Sequence, residues 1–358
     1  MHSSSVPHSS LPASHYFCTL FNINFVSYGV TMIESLAKHC PDFHLYVFAF
    51  CDESYRLLQT LALPRVTVLS LRDLEAHTPR LLEVKPARIL CEYCWTCTPA
   101  AILYCIETFH LPHCCYLDAD LYFYSNPKIL FDELGDGSVL LTDHHYNPGE
   151  FEWERTGRYC VQFMPFRADE CGLRALRWWR DACLEWCYNR CEDGKFGDQK
   201  YLDDWTTRFE GVRASTNWGA GIAPWNVHRY DFDVSKEPAT VTDQHDGTTH
   251  PIVFFHYQNV KLFPDGKIAL KHYHSIGVLP KRVKRCLLDA YAHHLIQTSQ
   301  RLHAICPRVR LVRFSLRNAS NIAFMIKKYR RLIISVRFSK RKRRLCLFGI
   351  HLIKEKGC

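Results

Sequence analysis

The sequence lacks any long apolar run. No stretch approaches the ~18–20 consecutive apolar residues that a membrane-spanning helix needs. Residues 1–14 are rich in Ser, His and Pro, which is unlike a secretory signal and predicts a disordered start. We therefore expect a cytoplasmic protein. Because 47% of the 358 residues are apolar and 13% are aromatic, the chain can bury a sizeable core, which excludes a wholly disordered protein.

The Gly-rich phosphate-binding motifs are also missing. A strand-like segment at 16–20 is followed by a polar turn with Asn22 and Asn24 and then by a helical pattern, with neither G-x-G-x-x-G nor a P-loop after it. A dinucleotide-binding fold and a P-loop protein are therefore disfavoured. Further strand-like runs recur about every 20–25 residues with helical segments between them. This alternation predicts an α/β fold with a mostly parallel central sheet flanked by helices.

Acidic residues are almost absent from the C-terminal part. Residues 301–358 hold seventeen Lys or Arg and one acid, Glu355, whereas residues 1–300 hold 28 basic and 35 acidic residues. The acidic body argues against nucleic acid as a partner, and the basic tail indicates an anionic surface. Apolar and basic clusters alternate over residues 318–358, which predicts amphipathic basic helices lying peripherally on an anionic membrane. A solvated tail and a nucleic-acid-binding tail are the alternatives.

The eighteen cysteines do not follow the pattern of a structural zinc site. Two sets of three fall in helical patterns, where their spacing repeats one face of the helix at each turn: Cys91, Cys94 and Cys97, and Cys183, Cys187 and Cys191. A structural zinc site usually adds a second, distant pair of ligands. We therefore interpret these residues as reduced cysteines of the core.

Two carboxylates separate two apolar runs near the middle of the chain. The segment 114–123 is typical of a buried strand that ends at Asp118, Ala119 and Asp120 before a second apolar run. At the carboxyl end of such a strand, one intervening residue lets both carboxylates point to the same side. The pair suits a hard divalent cation that also holds a diphosphate. An acidic, solvated turn is the alternative.

Three later segments carry further candidate residues. A Gly-rich turn places Asp198 at the start of a predicted helix, where capping of free N–H groups alone would explain it. Residues 217–226 are dense in Trp, Gly and Asn, which suits carbohydrate recognition or a packed surface loop. His256 ends a buried strand, where a hydrogen-bonded core histidine is the alternative to a ligand.

Together these segments resemble the nucleotide-diphospho-sugar transferases of the GT-A fold, nearest to the family-eight-like bacterial surface-glycan transferases. The resemblance covers about residues 15–280 and rests on the order of six segments: the N-terminal strand with its Asn turn, LDAD at 117–120, TGRYCVQFMPFR at 156–167, FGDQKYLDDW at 196–205, NWGAGIAPWN at 217–226 and FFHYQNVK at 254–261. The chain then divides into a disordered start (1–14), a GT-A domain (15–300) and a basic amphipathic tail (301–358).

The resemblance implies a metal-dependent transfer of a sugar from a nucleoside-diphosphate sugar, with UDP as the expected nucleotide. The acceptor would be a glycan or a lipid-linked molecule, as in polysaccharide biosynthesis, and the transfer would retain the anomeric configuration. Mn²⁺ or Mg²⁺ would be held by Asp118, Asp120 and His256. Asp198 and Gln199 would be the catalytic pair. The donor would contact Asn22, Tyr28, Lys85, Thr98 and Lys261, and the acceptor side would be formed by Asn217, Trp218, Gly219 and Asn226.

The sequence departs from this family at several places. The aspartate usual after the first strand is Asn22, and the family's Tyr-Ala-Arg has no clear counterpart in the segment 95–99. The pattern Gly/Asn-x-Gly-Phe reads Cys160-Val161-Gln162-Phe163. These changes leave the donor sugar and nucleotide open. An inactive GT-A scaffold that binds a glycan or a protein is the alternative function, although the intact set of carboxylates and His256 argues against it.

Overall fold

The computed structural model describes residues 14–146, 155–258, 260–262, 268–270, 280–311, 334–338, 343–347 and 350–354. The chain divides into two units, one up to Val312 and one from Arg313. The predicted disordered start lies outside the described residues except for Ser14. None of the described helices is long and apolar enough to cross a lipid bilayer.

The strands of the first unit are β1 (His15–Phe21), β2 (Phe43–Ala49), β3 (Val66–Ser70), β4 (His113–Leu117), β5 (Leu121–Phe123), β6 (Val139–Asp143), β7 (Tyr159–Cys160), β8 (Phe163–Arg167), β9 (Val212–Ala214), β10 (Ala220–Ile222), β11 (Tyr230–Asp233), β12 (Thr240–Asp243), β13 (Thr249–Pro251), β14 (Phe254–His256), β15 (Val260–Leu262) and β16 (Ile268–Leu270). Its helices are α1 (Val26–His39), α2 (Asp52–Leu61), α3 (Leu71–His77), α4 (Arg80–Val84), α5 (Leu90–Phe109), α6 (Lys128–Leu134), α7 (Glu170–Glu185), α8 (Trp205–Arg208), α9 (Lys281–Lys284) and α10 (Ala290–Ile305). Short 3₁₀-helices cover Lys85–Ala87, Lys200–Asp204 and Val227–Arg229, and a π-helical segment covers Arg285–Asp289.

An eight-stranded sheet forms the centre of the first unit. Its order is β3-β2-β1-β4-β8-β6-β7, with β9 beside β6. The strands β3, β2, β1 and β4 are parallel, β8 is antiparallel to both β4 and β6, and β6 pairs antiparallel with β7 and parallel with β9. The predicted α/β class with a mostly parallel central sheet is therefore confirmed.

Both faces of this sheet are covered, as the continuous apolar strands predicted. Along β1, Cys18 and Leu20 pack into one core with α5 and α7, whereas Phe17 and Phe21 pack into a second core with α1 and α2. Helix α5 is apolar on most sides and buries twelve of its twenty residues.

The predicted boundary at residue 300 falls inside α10, which continues to Ile305.

A second, three-stranded sheet, β10-β14-β5, lies at the carboxyl end of β4. The chain leaves the central sheet at Leu117 and enters this second sheet at Leu121, so the turn 118–120 forms the corner between the two sheets. Strand β14 pairs antiparallel with β5. This corner positions the candidate site.

The predicted helical tail is wrong over most of its second half. The second unit has three antiparallel strands, β17 (Ile334–Phe338), β18 (Arg343–Leu347) and β19 (Ile350–Lys354). The sequence explains the error, because β-branched and aromatic residues at 334, 336 and 338 alternate with Ser335 and Arg337. This period of two favours a strand over a helix. The remaining predicted helical segment, 318–333, lies outside the described residues.

Candidate functional site

Asp118 and Asp120 lie at the corner that joins the central sheet to the second sheet. The backbone N–H of Asp118 donates to the carbonyl of Gln162 at 3.0 Å, and the carbonyl of Asp120 accepts from Tyr257 N at 2.9 Å. The Tyr116 hydroxyl also donates to Asp118 Oδ1 at 3.1 Å. The backbone of both residues is thus held by other parts of the chain, and their side chains are only 25% and 18% exposed, so the turn 118–120 is not the solvated turn of the alternative interpretation.

His256 reaches these carboxylates through strand pairing. It is the last residue of β14 and pairs with Leu121, the first residue of β5, directly after the two aspartates. Its Nε2 lies 3.2 Å from Asp120 Oδ1 and 3.7 Å from Asp118 Oδ2. One ligand atom of each of the three residues lies within 4.8 Å of the other two. Two carboxylates and an imidazole at this spacing form a donor set that suits Mn²⁺ or Mg²⁺.

The electrostatic environment of Asp118, Asp120 and His256 favours the binding of a positive charge. The pKa of Asp118 is raised to about 7, mainly by burial and in part by the neighbouring Asp120, while His256 opposes the rise. Burial lowers the pKa of His256, but Asp120 and Asp118 outweigh that effect and raise it above the ordinary value. The two carboxylates thus favour positive charge at this position, which a bound divalent cation would supply.

The three residues line a cleft of about 760 Å³. Its walls are largely aromatic, with Phe25, Tyr28, Trp95, Phe196 and Trp225 among them. Flat aromatic faces beside convergent polar groups are typical of sites for sugars and nucleobases.

Asp198 and Gln199 lie in the same cleft. Asp198 is 4% exposed, and its Oδ2 has no hydrogen-bond partner among the described residues. The segment after it is a 3₁₀-helix rather than the predicted α-helix, and Asp198 does not cap it. Burial raises the pKa of Asp198 well above the ordinary value, and the Asp118 carboxylate adds to the rise. Asp198 thus forms part of the cleft wall, although its Oδ2 atom is itself buried. Gln199 donates its amide N–H to the carbonyl of Thr156 at 2.7 Å.

The residues predicted to contact the donor are divided between the cleft and other places. Tyr28 and Thr98 line the cleft. Asn22 is not among its lining residues, and its side-chain oxygen accepts from Asn24 N at 2.9 Å in the turn after β1. Lys85 lies elsewhere, because its Nζ pairs with Glu75 Oε1 at 2.6 Å and faces the Tyr93 ring. Lys261 belongs to β15, and its side chain lies outside the described residues.

The four residues predicted for the acceptor side are turned inward. Asn226 is fully buried and uses its amide within the protein, accepting from Ala223 N and donating to the carbonyls of His144 and Gly221. Asn217 accepts from Gly219 N, and a Cβ at Gly219 would lie 1.8 Å from the Pro251 carbonyl oxygen. The Trp218 ring packs against His145 and the Arg229 guanidinium. These residues shape the loop 217–226, whereas Trp225 of the same loop reaches the cleft.

Two curated proteins of Bacillus subtilis strain 168 are similar to this chain along most of their length. YfnD is 31% identical over 268 residues, which are 74% of this chain and 84% of YfnD. YfnF is 30% identical over 294 residues, which are 80% of this chain and 94% of YfnF. The chain belongs to the family of YfnD and YfnF. Both relatives are described as uncharacterized proteins, and no family model matches the sequence.

Two solved glycosyltransferase structures align with this member of the YfnD and YfnF family at low sequence identity. The galactosyltransferase LgtC, in complex with donor and acceptor sugar analogs, aligns at 14% identity with a TM-score of 0.43, covering 68% of this chain and 86% of LgtC. Mouse xyloside xylosyltransferase 1 aligns at 11% identity with a TM-score of 0.40, covering 58% of this chain and 87% of that chain. At these low scores, the activity of the present chain has to rest on the chemistry of its own cleft.

Several cleft residues were not predicted from the sequence. Trp95, Phe196, His144 and Trp225 line the cleft, and Gln162 contacts His256 from below it. Trp95 and Gln162 stand at two of the three places where the sequence departs from the family pattern, so these departures were the available signal. Nothing local in the sequence distinguishes His144 from an ordinary residue after a strand.

A buried cluster of three thiols is a further feature of this family member. The sulfur atoms of Cys18, Cys105 and Cys114 lie within 4.8 Å of one another, and all three residues are wholly buried in the core between β1, β4 and α5. Burial raises the pKa of Cys18 and Cys105 well above that of a free thiol, so both keep their protons. Burial also raises the pKa of Cys114, but its hydrogen bonds with Cys105 and Cys18 outweigh that effect and lower the pKa to about 6. Buried thiols that hydrogen-bond one another in a core are typical of packing residues.

Proposed function

We propose that this chain is a metal-dependent glycosyltransferase that moves a sugar from a nucleoside-diphosphate sugar to a glycan or lipid-linked acceptor. We expect UDP as the nucleotide and retention at the anomeric carbon. The observation that carries the proposal is the meeting of Asp118, Asp120 and His256 at the rim of an aromatic cleft that also holds Asp198. Residues from distant parts of the chain converge there, which an acidic surface turn would not require.

The three convergent residues would hold Mn²⁺ or Mg²⁺. The donor set fits a hard cation, and the imidazole shifts the preference slightly toward Mn²⁺. A bound divalent ion supplies Lewis-acid stabilisation of the negative charge on the diphosphate leaving group. The contribution of the protein is to hold the two carboxylates on one side of the corner turn, with Tyr116 donating to Asp118.

The remaining walls of the cleft suit the other parts of a sugar nucleotide. Tyr28 and Thr98 line the cleft, and we assign them to the nucleoside. We assign Lys261 to a phosphate and leave its contacts to experiment. The Trp225 ring lies edge-on to His256, with a centroid separation of 5.4 Å, and it is positioned to bound the sugar side of the cleft.

Asp198 is the group we assign to the anomeric carbon. Its unpartnered, buried oxygen would be stabilised as a carboxylate by the positive charge that develops on a sugar ring during departure of the leaving group. It serves in this way either as a nucleophile that forms a covalent intermediate or as a stabiliser of front-side attack. Both routes lead to retention, and both require the carboxyl group.

We also propose that the basic tail attracts the protein to an anionic membrane. The tail carries seventeen Lys or Arg against one acid. Each basic residue near an anionic leaflet contributes about 1 kcal/mol. This attachment depends on charge and does not depend on the helical form that the sequence predicted, so three strands can present it as well as helices.

The proposal is tested by donor turnover with a panel of nucleotide sugars in the presence and absence of Mn²⁺. We expect at least one donor to be hydrolysed or transferred only with the metal. Substitution Asp120→Asn should lower this turnover at least about 100-fold, because one of two charged ligands is lost. The matched control is Asp204→Asn, since Asp204 is exposed and pairs with Arg208 outside the cleft. Turnover that does not need a metal, or equal turnover by Asp120→Asn and Asp204→Asn, would contradict the proposal.

A further inference from the structure

Gln162 connects the two parts of the chain that supply the candidate metal ligands. It is wholly buried, in the turn between β7 and β8. Its backbone carbonyl accepts from Asp118 N at 3.0 Å, and its side-chain Oε1 lies 2.9 Å from His256 Nδ1. A buried amide with these two contacts lies directly behind the side chains that face the cleft.

A chain of hydrogen bonds determines which way the amide faces. The Thr142 hydroxyl lies 3.5 Å from the Cys160 carbonyl, to which it donates. Because that hydroxyl has given its only proton, it accepts from Gln162 Nε2 at 3.1 Å. The amide nitrogen therefore faces Thr142, and the amide oxygen faces His256.

The loop that carries Trp225 holds this amide in place. Gly221 lies so close to Gln162 that a Cβ at position 221 would be 2.4 Å from Gln162 Nε2. The backbone of Gly221, with a φ of +93°, is also one that other residues rarely adopt. The carboxamide is thus confined between Thr142, Gly221 and the His256 ring, and its hydrogen bonds to Thr142 and His256 fix which end is the oxygen.

The orientation of the Gln162 amide determines which nitrogen of the neutral His256 ring carries the proton. An acceptor at Nδ1 requires that Nδ1 carries the proton, so the neutral ring has its lone pair at Nε2. Nε2 is the atom that faces Asp118 and Asp120. An oxygen behind a ligating histidine also fixes the plane of the ring and makes the opposite nitrogen a better ligand.

We propose that Gln162 is the positioning residue of the metal site, which selects the tautomer of His256 that is protonated at Nδ1 and aims the lone pair of Nε2 between the two carboxylates. The inference rests on the proposed metal-dependent function. It goes beyond it by assigning a role to a residue at which the sequence departs from the resembled family.

The test measures Mn²⁺ binding to the full-length protein, without a donor and at one fixed pH. The affinity is obtained by electron paramagnetic resonance of free Mn²⁺. Electron spin echo modulation then reports whether an imidazole nitrogen is bound to the metal. Gln162→Met keeps the length of the side chain but removes the amide oxygen. Gln162→Glu keeps an oxygen that accepts from Nδ1. His256→Ala is the reference for loss of the ligand.

We expect Gln162→Met to weaken Mn²⁺ binding about 10–100-fold and to reduce the imidazole signal, as found when partners behind metal-bound histidines are removed. Gln162→Glu should retain the signal and bind within a few-fold of the wild type. A purely structural role would lower the unfolding midpoint of both variants and leave the Mn²⁺ affinity of the folded protein unchanged. Equal affinity of wild type and Gln162→Met, or equal weakening by Met and Glu, would overturn the inference.

Two further results separate this inference from the function on which it rests. If Gln162→Met does not fold, Thr142→Val releases the amide nitrogen and should still weaken Mn²⁺ binding several-fold. Unchanged affinity in that variant would overturn the inference. Absence of Mn²⁺ binding by the wild type would remove the metal site and the inference together. Binding that is sensitive to His256→Ala but insensitive to Gln162→Met would overturn the inference alone.

Discussion

Asp198 brings a carboxyl group into the cleft at a cost to folding. It is buried beside another acid, and one of its oxygens has no partner among the described residues. A buried polar atom without a partner usually destabilises the folded protein by about 1–3 kcal/mol. Such a group persists where it serves a reaction, since function and stability make opposing demands at an active site.

We expect Asp198→Asn to lower the turnover of the donor at least about 100-fold while the KM of the donor changes only a few-fold. The unfolding midpoint of the metal-free protein should stay the same or rise, because the buried acid beside Asp118 is removed. Steady-state kinetics and thermal denaturation measure the two effects, with Asp204→Asn as the control. Near-normal turnover by Asp198→Asn would exclude it from both roles proposed for it.

His144 makes the stability of the fold depend on pH. It is 3% exposed, and burial lowers its pKa to about 4. The unfolded chain binds a proton at this residue below about pH 6.5, whereas the folded chain does not bind it until about pH 4. Stability is therefore complete above pH 6.5 and is lost as the pH falls toward 4, by about 2 kcal/mol at pH 5 for this residue.

The variant His144→Gln cannot take up that proton. Urea unfolding at pH 7.5 and pH 5 should show that the wild type loses about 2 kcal/mol more stability on acidification than the variant does. The buried His145, whose pKa burial also lowers to about 4, remains in both proteins. An equal loss in the two proteins would place the acid sensitivity at other groups.

At the scale of elements, the sequence predicted where the buried strand before Asp118 ends, but it did not predict how the side chains of the loop 217–226 are used. Asp118 and Asp120 could be placed from the sequence, because a buried strand fixes where its polar end lies. The loop 217–226 was predicted to offer its amides to a ligand, yet the side chain of Asn226 bonds the carbonyl of a residue 82 positions earlier. An amide satisfies its hydrogen bonds wherever the tertiary fold places a partner, and no local pattern reveals that partner.

The loop 217–226 depends on Asn226 as a brace. Asn226→Ala would leave the Gly221 carbonyl and the Ala223 N–H without their side-chain partner, while the His144 carbonyl keeps the Trp225 N–H. We expect a loss of about 2–4 kcal/mol in the free energy of unfolding. Chemical denaturation measures it, with the exposed Asn24→Ala as a control that should cost under about 0.5 kcal/mol. A cost as small as that of the control would mean that the loop holds its form without this brace.

At the scale of the whole molecule, the site exists only because two sheets meet. Asp120 and His256 are far apart in sequence, and the register that pairs His256 with Leu121 brings them together. Order along the chain suggested His256 by resemblance, but its distance from the carboxylates follows from that register alone. Prediction from sequence was also limited in the tail, because the pattern of a short apolar run does not distinguish a helix from a strand.

The division of charge between body and tail gives the last prediction. Because residues 1–300 are acidic overall and residues 301–358 strongly basic, attraction to a membrane should reside in the tail and weaken with salt. In flotation with vesicles of phosphatidylserine and phosphatidylcholine, the full-length protein should bind, and vesicles of phosphatidylcholine alone should not bind it. Replacing the five consecutive bases 340–344 by Gln should lower binding at least tenfold, since each contributes about 1 kcal/mol near the surface. Binding that the replacement and 0.5 M salt both leave unchanged would require an apolar mode of attachment, and the charge asymmetry would then have no part in localisation.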